Sequence, residues 1–89
     1  MNKVELVNNL YETGLLKDED SIVLSEGFEE AVIGITANEP KRCVYDYHKA
    51  AAILMEQEED LTIDEACEWL DEHISYIIGE QTPVFIKRL

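Results

Sequence analysis

Ala31-Val32-Ile33-Gly34-Ile35-Thr36, then Ala37-Asn38-Glu39-Pro40-Lys41, then Arg42-Cys43-Val44-Tyr45 is the stretch that decides the fold. Its outer pieces are rich in β-branched and aromatic residues, which fit a pleated, half-buried surface. Its middle piece carries the turn chemistry of Asn and Pro. Together they predict a β-hairpin with the five-residue loop 37–41. Gly34 in mid-strand costs stability, and marks either a bulge or the close approach of another group.

Downstream, Asp46 is placed to cap a helix from Tyr47 to about Gln57, whose apolar side is Ala50, Ala51, Ile53 and Leu54. Glu58-Glu59-Asp60 reads as a connecting loop. Thr62-Ile63-Asp64-Glu65 is a capping box, the best helix start in the chain. Ile63, Ala66, Cys67, Leu70, Ile74 and Ile77 then follow spacings of three and four, and Gly79 is placed to close that helix. Pro83 opens a terminal strand, Val84-Phe85-Ile86, at the one position where a strand tolerates it. Upstream, Asn2 is a cap with Glu5 three residues on, so residues 2–16 predict a helix that Gly14 weakens or ends. Lys17-Asp18-Glu19-Asp20 reads as a solvated turn, and Ile22-Val23-Leu24 admits a short strand. The expected architecture is a single α+β domain spanning 1–89. It has a small, mostly antiparallel sheet of three to four strands, with about three helices packed on one face.

Eighty-nine residues, 46% of them hydrophobic, suit one folded domain with a thin margin of stability. Seven Lys and Arg against twenty Asp and Glu give a formal charge of −13. That balance argues against direct nucleic-acid binding, where basic side chains must neutralise phosphates. It argues equally against docking on anionic lipid. The longest apolar run, Ala50 to Met55, is far short of a membrane span, and Met1 to Glu5 has no signal-peptide pattern. Two cysteines, Cys43 and Cys67, are too few for a disulfide scaffold, so a reducing cytoplasm is the expected compartment.

Several pieces in order resemble a family of small uncharacterised bacteriophage and prophage proteins. They are Phe28-Glu29-Glu30-Ala31-Val32-Ile33-Gly34, Val44-Tyr45-Asp46-Tyr47, Ile53-Leu54, Asp64-Glu65-Ala66 with Trp69, and Gly79-Glu80-Gln81-Thr82-Pro83-Val84-Phe85-Ile86. Where the family has an Asn after the aromatic, this chain has Asp71-Glu72-His73. The resemblance assigns no catalytic role to any residue. What it implies is context: a phage-encoded protein acting inside a bacterial host cell.

The acids carry the main functional expectation. Glu56, Glu58, Glu59, Asp60, Asp64, Glu65, Glu68, Asp71 and Glu72 fall within seventeen positions, and no Lys or Arg occurs from Ala50 to Ile86. On a helix, Asp64–Glu68 and Glu68–Glu72 are like-charge i,i+4 pairs that cost a few tenths of a kcal/mol each. Negative charges repeating with the helical turn resemble a row of phosphates, and suit a host protein with a basic surface, either a defence protein or one that binds nucleic acid. The same run also reads as a solvated face that keeps the protein soluble. Trp69, His73 and Tyr76 lie at i, i+4 and i+7, and either extend the core or anchor an interface.

Other chemistry is sparsely represented. Cys43 with His48, and Cys67 with His73, lack zinc spacing, and the acidic loops lack EF-hand spacing, so no metal or other cofactor is expected. No phosphate-binding glycine loop or catalytic motif is present, and the expectation is not an enzyme. Tyr45-Asp46-Tyr47-His48 is a polar-aromatic cluster that forms either a small pocket or a capped helix start with packed rings. Were it a pocket, a second function opens: a small oligomer that sequesters a small-molecule or nucleotide signal of bacterial immunity. That would require Lys41, Arg42, Lys49, Lys87 or Arg88 to gather around the anion. Finally, Trp69, Tyr76, Ile78, Phe85 and Ile86 compete for one small core, and the last strand is a candidate open sheet edge, so a homodimer is expected.

Overall fold

The computed structural model describes residues 2–17, 22–38, 40–77 and 82–89. The elements run α1 (Lys3–Glu12), a 3-10 turn (Glu29–Ala31), β1 (Val32–Ile35), β2 (Cys43–Asp46), α2 (Tyr47–Gln57), α3 (Ile63–Ser75) and β3 (Val84–Ile86). The fold is α+β, with a three-stranded sheet of order β1-β2-β3. Residues 22–24 form no strand; Ile22 and Leu24 turn inward instead as half-buried packing. The expected turn at Asp18–Asp20, and the expected closing role of Gly79, lie outside the described residues.

β1 and β2 make the antiparallel hairpin, closed where Thr36 N–H donates to the Arg42 carbonyl at 2.9 Å and Arg42 N–H to the Thr36 hydroxyl at 2.8 Å. The register slips between Val32 and Gly34, so Ile33 is bulged out. Of the two explanations for Gly34 the bulge holds, because no atom lies within 4 Å of where its Cβ would be. β3 joins β2 in parallel, Tyr45 opposite Phe85, which makes the sheet mixed. Connectivity dictates this. α2 and α3 lie between β2 and β3 in the chain, a helical crossover that lets β3 run the same way as β2.

Each helix start follows its cap. Asn2 accepts the Glu5 amide, Asp46 accepts that of Lys49, and Thr62 and Glu65 form the full reciprocal box. Two helices end early. α1 stops at Glu12 with Gly14 at φ +79°, and α3 stops at Ser75, capped at Tyr76 rather than running on toward Gly79.

Cys43 and Tyr45 point to one face of β2, where α2 and α3 pack against them through Ala50, Ala51, Leu54, Ala66 and Leu70. Leu6, Leu10 and Leu16 form a smaller cluster that reaches this core through Ile22, Leu24, Val32 and Ile35. The helices therefore share one face of the sheet. The opposite face carries half-buried Val44 and Val84 beside exposed Ile86, with bulged Ile33 also exposed.

Candidate functional site

All nine acids between Glu56 and Glu72 are solvent-exposed. With Ala66 and Leu70 buried, the 100° step per residue puts Asp64, Glu68 and Glu72 on the side of α3 that points away from the core, and Asp71 on the flank that meets α2. Among the described residues, none of the nine is in an ion pair. Two have structural duties. One oxygen of Glu65 accepts from the Thr62 amide and hydroxyl, at 3.3 and 3.0 Å. Asp71 accepts the Tyr47 hydroxyl at 2.6 Å, tying the start of α2 to α3.

Glu58, Glu59, Asp60 and Glu65 also line a cleft of about 830 Å³ between the α2–α3 connection and the turn at 25–28. Phe28, Leu54 and Leu61 give it an apolar floor, and Trp69 stands at one side, 48% exposed. Glu26 closes the far rim, where Lys3 holds it at 3.4 Å. Phe28 and Glu26 were not legible as site residues. Their segment lies far from α3 in the chain, and only the Ser25-Glu26-Gly27 turn, with Gly27 at φ +92°, brings it across.

Trp69 and His73 stack with centroids 5.4 Å apart and planes 14° apart, as their i,i+4 spacing allows. His73 also sits 5.9 Å from Phe28 and 6.3 Å edge-on to Phe85, with its Nε2 buried and unpartnered. Of the predicted aromatic stripe, then, His73 is part of the core edge, Trp69 is half out, and Tyr76 is 77% exposed.

Residues Tyr45 to His48 scatter. Tyr45 is wholly buried, stacked on Phe85 at 4.9 Å, and its hydroxyl accepts the buried Ser25 amide at 2.9 Å. Burial pushes its ionisation well above the usual tyrosine range. The hydrogen bond to Asp71, more than burial, does the same for Tyr47. Asp46 is the α2 cap and lies 3.7 Å from Arg88, and His48 is exposed. The basic residues do not gather. Lys87 sits over the Tyr47 ring at 4.9 Å and Arg88 beside Asp46 at one end of β2, while Lys41 and Arg42 precede its other end.

Among the described residues no three His, Cys, Asp or Glu side chains come together as a metal site would need. Cys43 is buried, and desolvation raises its thiol to about 11, keeping it protonated and unreactive at neutral pH. Among the described residues no helix is long and apolar enough to cross a membrane. What the fold and the site define is thus a small α+β protein with an acidic outer helix and an acid-rimmed cleft. No protein-family model, curated protein or solved structure matches the chain.

Proposed function

We propose that this chain is a phage-encoded, non-catalytic interaction protein of the bacterial cytoplasm. It inhibits or modulates a host protein with a basic surface, a defence or nucleic-acid-binding protein, through the acids Glu56 to Glu72. The observation that carries this is the set of nine exposed carboxylates that, among the described residues, have no counter-charge on them. Solubility alone is served as well by mixed charges, which would also relieve the like-charge pairs along α3. A surface kept at one sign, at a cost in stability, suits a partner of the opposite sign. Neither nucleic acid nor a membrane is a direct target of a body carrying −13. What weighs against an anionic small ligand is the separation of Lys41 and Arg42 from Lys87 and Arg88 along β2. The working form is a homodimer built on the sheet face that no helix covers.

The test is retention of host proteins from bacterial lysate on the immobilised protein, wild type against Asp64→Lys/Glu68→Lys/Glu72→Lys. The wild type should retain basic proteins that elute as salt is raised, since exposed charge pairs are screened. The triple variant should keep its circular dichroism spectrum and retain none of them. Equal retention by the triple variant would overturn the charge-based interaction.

A further inference from the structure

The cleft beside α3 sharpens the function just proposed, and rests on it. At about 830 Å³ it has the dimensions of a ligand site. Its lining combines three features that one kind of occupant satisfies. The floor of Phe28, Leu54 and Leu61 asks for aliphatic surface. Glu26 on the rim is already paired with Lys3, but Glu58, Glu59, Asp60 and Glu65 ask for positive charge, and neither Lys nor Arg lines the cleft. The third feature is the geometry of Trp69. One face of its ring is covered by His73, one helical turn toward the C-terminus. Phe28 meets the ring at a 47° tilt, 6.4 Å between centroids, yet Trp69 is still 48% exposed, and Glu65, one turn toward the N-terminus, lines the cleft with it. A flat cation on the exposed part of that ring would have the Glu65 carboxylate as its i,i+4 neighbour, and the capping box uses one oxygen of that carboxylate.

From this geometry we infer that the cleft is a docking groove for a basic peptide segment of the partner, with an arginine laid on the exposed part of the Trp69 ring. Its guanidinium pairs with Glu65 and the 58–60 loop, and an aliphatic neighbour covers Phe28 and Leu61. Arginine fits better than lysine because its planar, weakly hydrated cation stacks on an indole and meets a carboxylate edge-on. An acidic or uncharged segment would leave the rim carboxylates desolvated without compensation. The outward acids of α3 then serve approach and orientation, and the groove supplies the specific contact.

Trp69 is the sole tryptophan, so its emission reports the groove directly. The probe is a short acetylated peptide of Arg, Leu and Gly, compared with its Lys-for-Arg counterpart, with affinities measured by calorimetry. The Arg peptide should change Trp69 emission saturably and bind several-fold more tightly than the Lys peptide. Trp69→Leu should weaken it about tenfold, the size of a partly desolvated cation–π contact. Glu65→Gln keeps the capping box, because Gln serves at that position, and should weaken binding about fivefold. Unchanged affinity in Trp69→Leu, or equal affinity for the two peptides, would overturn the groove. If host-protein capture were still lost in the triple-lysine variant, the acidic surface would stand without it. No peptide binding even at low salt, together with undiminished capture by the triple variant, would remove both.

Discussion

Two tyrosines two residues apart show how differently one side chain can be used. Tyr45 carries its ring in the core and its hydroxyl against the Ser25 amide, in a place water does not reach. Tyr47 has an equally covered ring, but its hydroxyl reaches the edge of the protein and an exposed carboxylate. Removing each hydroxyl should therefore cost different amounts. Tyr45→Phe strands a buried amide and should cost about 1–3 kcal/mol, the penalty of an unmade buried hydrogen bond. Tyr47→Phe leaves Asp71 free to take water and should cost about 0.5–1.5 kcal/mol. Denaturant unfolding at neutral pH reads both, and the reverse order would refute this account of the 25–45 contact. Position in the chain showed the two as a cluster with Asp46 and His48. It did not show that strand alternation sends Tyr45 inward while Asp46 turns to cap a helix.

Elements that depend on neighbours a few residues away were legible, and those that depend on distant ones were not. The Asp46 cap, the Thr62–Glu65 box and the slip at Gly34 are local chemistry, and all three stand in the structure. The parallel pairing of β3 depends on where a long crossover ends, and periodicity carries neither that nor the stop of α3 at Ser75. The acids of α3 were visible as a run, and the structure places three of them, Asp64, Glu68 and Glu72, on its outer side. The cleft was not visible, because one wall of it comes from the distant 26–28 segment. The helix also makes a prediction of its own. Glu68 stands between Asp64 and Glu72, so Glu68→Lys turns two repulsive i,i+4 pairs into attractive ones. The variant should gain about 0.5–1 kcal/mol at low salt, and less at high salt. For a domain of this size that is a rise of roughly 2–8 °C in Tm, together with weaker capture of basic partners. A melt no higher than wild type at low salt would show that these carboxylates do not strain the helix.

On the scale of the molecule, surface is in excess. The chain exposes 6048 Å², where a monomer of its mass, 10.2 kDa, exposes about 5,300 Å². Its extents are 41 × 24 × 24 Å. One side of the sheet, with half-buried Val44 and Val84 and exposed Ile86, has no helix packed on it among the described residues, and β3 is an edge strand. The outward acids of α3 face the other way, since α3 packs on the covered side of the sheet and turns them outward again. Two copies meeting through their bare faces would keep those acids apart, and at physiological salt the screening length is about 8 Å. On the bare face itself stands Asp46, whose charge is met by Arg88 at 3.7 Å. Apolar burial should then outweigh the net repulsion, in a two-fold arrangement. Light scattering at micromolar concentration in physiological salt should return twice 10.2 kDa. Ile86→Lys places a charge in the contact while Asp46, its cross-strand neighbour, supplies a counter-charge that keeps β3 in place. That variant should return the single-chain mass with an unchanged far-ultraviolet spectrum. A wild-type mass of 10.2 kDa at both low and high salt would show that the bare face stays open.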